Sequence, residues 1–301
     1  MTRSKSLPLL LLLGSLVSSA LLLSGCHKRG SGEEINQQIS WQTIHVAREY
    51  TDTLMPVIRQ DTSLAVPAFT VSLDLLEPTA EGDAGVIADS LRSYLIACHA
   101  LEGPDYEAHM SMQSYLDSVV AQGLESYISD LTRAKTMMRD DAESPTALLS
   151  FFVEEMVKSD SLTYNQADLV SVKISQYDFS GGANGATSIR SANYDLRHNA
   201  PVTVHQLFAD GSEDKIDELL LSALMKSFGV DSPDALADKG VYFYEEARMG
   251  EYFYLTSEGV TFYFNPYDIA AHFVGPIELT LPYADIAGYL KDEYKQRLMT
   301  E

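Results

Sequence analysis

Cysteine is nearly absent: the 301 residues contain two, Cys26 and Cys98, and a single tryptophan, Trp41. A disulfide framework is therefore excluded, because two cysteines make at most one bridge and the first has another use, described below. Positive charge is also scarce. Lys and Arg number 21 against 43 Asp and Glu, for a net charge of −22. Nucleic-acid binding depends on basic patches that neutralise phosphates, so this balance argues against it. It favours encounter with cationic partners through long-range steering. Catalytic signatures are missing as well: there is no GxSxG, HExxH, CxxC or GxxxxGK[ST]. The seven histidines, His27, His45, His99, His109, His198, His205 and His272, show no metal-ligand spacing. His99 and His109 are near in sequence but straddle a Gly103-Pro104-Asp105 break. No cofactor, metal or catalytic residue is expected.

What is present begins at the N-terminus. Arg3 and Lys5 precede an apolar stretch from Leu7 to Leu23, which ends in Leu23-Ser24-Gly25-Cys26. A basic start, an apolar run and a small-residue cleavage site make a secretory signal over residues 1–25. Leu23, Ser24 and Gly25 followed by Cys26 form a lipobox, in which the cysteine carries the acyl chains (palmitate among them) that hold the mature protein to a membrane. Residues 26–39 read as a tether, since HKRGSGEEINQQ over 27–38 has little to bury. His27, rather than an Asp, follows the lipidated cysteine, which favours an outer membrane, and the lack of a strong acidic run just after it favours the periplasmic face. Cys98 lies in an apolar helical pattern with Leu91, Tyr94 and Leu95 and reads as a small buried hydrophobe.

With 46% hydrophobic and 10% aromatic residues, the rest of the chain has ample material for a core. Residues 41–50 and 62–76 read as strands, with Pro56 and Pro67 limiting their pairing. Apolar residues at helical spacing predict helices over 85–101 and 110–138. Strands follow over 149–159, 169–179 and 187–196, and in the second of these Val170, Val172 and Ile174 oppose Ser171, Lys173 and Ser175, as in a half-buried antiparallel strand. Beyond Asn199 come helices over 202–208 and 213–228, then a hairpin of 251–256 with 260–265. In that hairpin Gly259 is expected to take positive φ. A strand over 277–281 and a closing amphipathic helix over 284–298 complete the chain. The order indicates an α+β fold of antiparallel β-sheets with helices on one face. It divides into two sequential subdomains, 40–198 and 199–301.

Three stretches carry a family resemblance. They are SGGANG over 180–185, NYDL over 193–196 with VHQLF over 204–208, and VTFYFNPYDIA over 260–270 running on to Gly275-Pro276 and Leu281-Pro282-Tyr283. Together they resemble the extracytoplasmic domain family shared by the lysozyme-sensing anti-sigma factor RsiV and the non-catalytic region of the peptidoglycan deacetylase PdaC. Many stand-alone lipoproteins of unknown function also resemble it. The likeness covers roughly residues 40–290, PdaC-like in the first half and RsiV-like in the second. It implies a non-enzymatic envelope binding protein whose partner is a lysozyme-like cationic muramidase or a peptidoglycan fragment. The candidate binding or turn residues are Gly181, Gly182, Asn184, Gly185, Asn265 and Tyr267. Relatives often carry His where this chain has Asn184, so a titrating or metal-binding role is not carried over to that position. The glycines read as a tight turn with positive φ, and the aromatic strand residues as packing. Two other function classes remain open. One is an envelope glycan hydrolase with an unrecognised acid pair; the other is a structural lipoprotein of a membrane assembly.

Overall fold

The computed structural model describes residues 34–52, 66–100, 110–140 and 152–299. The expected leader over 1–25, the expected lipidation site Cys26, and His109 lie outside the described residues. Among the described residues, no helix is long and apolar enough to cross a membrane.

The first strands obey a period of two. In β2 (Ala68–Thr79), Phe69, Val71, Leu73 and Leu75 are buried on one face. Two helices cover that face, α1 (Gly82–His99) with Leu91 and Leu95, and α2 (Met112–Asp140) with Tyr115, Leu116, Tyr127 and Leu131. At Gly123 a methyl would stand 3.0 Å from the Phe69 ring, so the missing side chain lets α2 sit close to the sheet. The sheet has six strands in chain order: β1 (Ser40–Thr51), β2, β3 (Val153–Gln166), β4 (Leu169–Ser180), β5 (Ala186–Asp195) and the two-residue β6 (Ala200–Pro201).

Several local expectations need correction. The sheet is not wholly antiparallel: β2 and β3 run parallel, because the chain returns through α1 and α2 before pairing. β3 extends to Gln166, well past residue 159, and closes on β4 through a two-residue turn, Ala167-Asp168. Both turn residues have positive φ, 52° and 57°. Such a turn normally announces itself with Asn-Gly or Gly, and none is present here. The end of the stretch expected as a tether is structured. Residues Ile35–Gln38 form a helical turn docked on that hairpin tip. Asn36 is buried and donates to the Asn165 side chain (2.6 Å) and the Leu169 carbonyl (3.1 Å), the Ile35 amide donates to Asp168, and Glu34 accepts from the Ala167 amide (3.1 Å).

The second half builds a three-stranded antiparallel sheet, β7 (Phe253–Leu255), β8 (Gly259–Phe264) and β9 (Ile277–Pro282). Before it come α3 (Val204–Leu207), with a capping box between Thr203 and Gln206, and α4 (Glu213–Phe228), which buries Ile216, Leu220 and Leu224. Gly259 does not have positive φ; a methyl there would lie 2.1 Å from the Leu281 carbonyl oxygen, so close approach of β9 is what requires glycine. The expected closing helix is two short ones, α5 (Tyr283–Ile286) and α6 (Asp292–Leu298). Between them the backbone turns to pair with the α3–α4 loop: the Ala209 amide donates to the Tyr289 carbonyl (2.7 Å) and the Lys291 amide to that of Leu207 (3.0 Å).

The small sheet lies against the face of β4 and β5 that α1 and α2 leave open. There Ser171, fully buried, accepts from the Leu255 amide (2.9 Å) and donates to the Asn193 side chain (2.5 Å). Asn193 in turn donates to the Phe253 carbonyl (2.8 Å). The polar side of β4 therefore faces a second sheet rather than water, and the strand is buried on both faces in its first half.

Candidate functional site

The glycine-rich turn before β5 holds Gly181 and Gly182 at positive φ, 79° and 91°, with Asn184 exposed beside them. Gly185 differs, because a methyl there would come within 2.4–2.5 Å of the Tyr177 ring; its role is close packing. Asn265 follows β8 and latches it to β5. Its side chain accepts from the Ile189 amide (2.6 Å) and donates to the Ile189 carbonyl (3.0 Å), imitating one rung of a strand ladder. Both positions read most simply as architecture.

Tyr267 is different. Its φ is 75°, a left-handed conformation that an L-aromatic residue adopts at a cost of roughly 1–2 kcal/mol. Even so, 72% of it is exposed, with its ring 5.5 Å from that of His272. Its amide donates to the Ala270 carbonyl (3.0 Å), and Ala270 bridges to Val241. That bridge brings in a second segment. The Tyr242 and Phe243 amides both donate to the Ile269 carbonyl (3.0 and 3.1 Å), and the Ala271 amide donates to that of Gly240 (2.8 Å). Gly240, at φ 87°, leaves room for the Phe273 ring, 2.6 Å from where a methyl would sit. Four exposed aromatics thus share one knot of backbone: Tyr242 (55%), Phe243 (57%), Tyr267 and Phe273 (77%). In sequence they are flanked by the exposed carboxylates Asp234, Asp238, Glu245, Glu246 and Asp268, while Lys239 and Arg248 are the only cations over residues 231–251.

Reading the alternating aromatics Tyr252, Tyr254, Phe262 and Phe264 as strand packing holds for the last three, which are buried, but not for Tyr252, which is 61% exposed. It misses Tyr242, Phe243 and Phe273. The available signal was negative: VYFYEE over 241–246 has neither a period of two nor one of 3.6.

Two polar clusters remain, one centred on a buried carboxylate with exposed partners and one fully buried. Asp195, His198 and Glu293 bring one ligand atom each within 4.8 Å of one another, a set drawn together from separate parts of the chain. However, Arg297 already occupies both Asp195 oxygens (2.5 and 3.0 Å), and His198 Nδ1 lies at 2.9 Å. Burial alone would raise the Asp195 carboxyl, but the Arg297 and His198 hydrogen bonds outweigh it and hold the group below the usual carboxylate range. A guanidinium in that position supplies the positive charge a cation would bring. The second cluster is His99 with Asp160, both side chains fully buried and 3.2 Å apart. The His99 Nδ1, Asp160 Oδ1 and Tyr115 hydroxyl have no hydrogen-bond partner among the described residues. Beside it, burial pushes the Cys98 thiol up to about 11, so it stays protonated at neutral pH and packs against the core as an apolar group.

Residues 205–284 match the family described as "Protein of unknown function (DUF3298)", the domain that the motifs of the second half resembled. Two solved structures share the fold. One, a DUF3298 family member from Bacteroides fragilis, is 22% identical with a TM-score of 0.71, over 87% of this chain and 98% of that one. The other, a DUF3298 family protein from Pseudomonas aeruginosa, is 18% identical with a TM-score of 0.53, over 86% and 97%. None of the curated proteins matches the chain.

Proposed function

We propose that the protein is a lipid-anchored, non-enzymatic binding protein of the cell envelope, and that the aromatic–acidic knot seats a lysozyme-like cationic protein. The exposure of Tyr242, Phe243, Tyr267 and Phe273 within an acidic surround carries this reading. Large aromatic side chains supply most of the energy at protein interfaces, and complementary charge speeds encounter and selects the partner. The left-handed backbone at Tyr267 supports it too, since strain held by surrounding hydrogen bonds is a device for presenting a side chain ready-made. A net charge of −22 gives a cationic partner long-range attraction at low salt.

The anchor belongs to the same proposal. Acylated Cys26 lies eight positions before Glu34, where docking begins, and eight extended residues span at most about 28 Å. The body would ride close to the periplasmic face of the outer membrane. Replacing Cys26 by Ser and fractionating cells tests the anchor: the variant should leave the membrane fraction, and retention there would refute lipidation.

Calorimetric titration of the protein with hen lysozyme at low and physiological salt tests the binding. Saturable binding that weakens with salt and falls at least tenfold in a Tyr267→Ala/Phe273→Ala double variant is expected. No saturation at low salt, or equal affinity in the variant, would remove this reading.

A further inference from the structure

A second surface, away from the aromatic knot, has the makings of a ligand site. Glu34, the β3–β4 hairpin tip, Arg197, Ser257 in the β7–β8 turn and the last turn of α6 together line a cleft of about 610 Å³. That volume suits a small ligand of two or three rings.

The lining restricts what the ligand can be. Arg297 on its wall is spent on Asp195 and on the Ala167 and Asp168 carbonyls, and the Arg197 Nε donates to Asp168 (2.7 Å). With Glu34 counted in, the two guanidiniums face three carboxylates. The cleft therefore has no net positive charge to hold a phosphate or carboxylate. Apolar surface is also short, being little more than the Tyr164 ring and Leu298, so an acyl chain would leave water for no gain. What the walls do offer is a mixture of donors and acceptors: the Gln166 amide, the Arg197 edge, the Glu34 carboxylate and the Ser257 hydroxyl. A hydroxyl-rich neutral molecule, in which each group both donates and accepts, complements such a lining.

The site is also rigid. Ala167 and Asp168, at φ 52° and 57°, are clamped by Arg297, whose Nε and Nη2 donate to their carbonyls (2.9 Å each), and Glu34 accepts the Ala167 amide. Side chains on a fixed frame lose little freedom when a ligand arrives.

We infer that this cleft binds a neutral oligosaccharide, independently of the protein-binding face. The experiment titrates the whole protein, by NMR or calorimetry, with tri-N-acetylchitotriose, maltotriose and inorganic phosphate. At least one sugar should saturate while phosphate does not. Gln166→Ala and the cleft-filling Ser257→Trp should each weaken that sugar at least tenfold with an unchanged melting temperature. Tyr267→Ala/Phe273→Ala, at the other surface, should bind it as before. Failure of both sugars to saturate, saturation by phosphate alone, or undiminished sugar binding in Ser257→Trp would each overturn the inference.

Discussion

Two buried carboxylates on the six-stranded sheet, Asp195 and Asp160, live in opposite circumstances. Asp195 receives a bidentate guanidinium, an imidazole and the Arg197 amide (2.9 Å). Its partner Arg297 comes from the last helix, about a hundred residues on, so the pair stitches the end of the chain to β5. Asp160 is equally buried but receives only the Leu76 amide (2.9 Å) and His99, and one of its oxygens has no hydrogen bond among the described residues. Desolvation costs a charge the same in both places; the hydrogen bonds returned differ. A fully satisfied acid makes a cross-link between distant parts of the chain. A half-satisfied one marks a place where the local packing tolerates polarity without depending on it.

The sharpest way to break this contrast is Arg297→Met. It strands Asp195 as a buried, largely unpaired charge, and chemical denaturation should show a loss of about 3–5 kcal/mol. Asn193→Ala comes next. It removes a neutral link between the two sheets and leaves the Phe253 carbonyl without its donor, so a loss of about 2 kcal/mol is expected by the same measurement. Asp160→Asn should cost about 1 kcal/mol or less, because an amide can keep the Leu76 contact and lifts the charge out of a poorly satisfied site. A loss as large as that of Arg297→Met would mean that the local packing depends on the Asp160–His99 contact, and the contrast would collapse. The smallest effect is in pH dependence. The Asp195 carboxyl lies below its unfolded value of about 3.9, so its stabilisation is complete above that pH and is lost as the pH falls through the lower, folded value. The acid limb of the wild type should therefore be steeper than that of Asp195→Asn when stability is followed from pH 5 downward.

Much of the architecture was legible. The period of two in β2, the apolar faces of α1, α2 and α4, and the alternation of β9 each stand close to where the pattern puts them, because one side of each element meets a core and the other meets water. Legibility failed where a backbone was held by distant atoms. The Ala167-Asp168 turn does without glycine because Arg297 and Glu34 impose its shape. The last helix breaks because residues near Tyr289 pair with the α3–α4 loop instead. Residues 34–38 look like linker yet are pinned by Asn165 and Asp168. At the candidate site, Tyr267 was visible within the NPYDIA stretch. Phe273 lies six residues on in the same segment, whereas Tyr242 and Phe243 became its neighbours only through hydrogen bonds between segments some 25 residues apart.

Periodicity, composition and motif therefore determined, from the chain alone, an acidic α+β protein whose second half resembles a known domain family, the part that matches DUF3298. Tertiary structure alone decided that β4 is buried on both faces, that a string of exposed aromatics gathers around Tyr267, and that the N-terminal turn, hairpin tip and last helix enclose a polar cleft. The reason is range. A hydrophobic period is a property of neighbours three or four residues apart, whereas Ser171 meeting Leu255, or Asp195 meeting Arg297, depends on the folded position of groups that share nothing local in sequence.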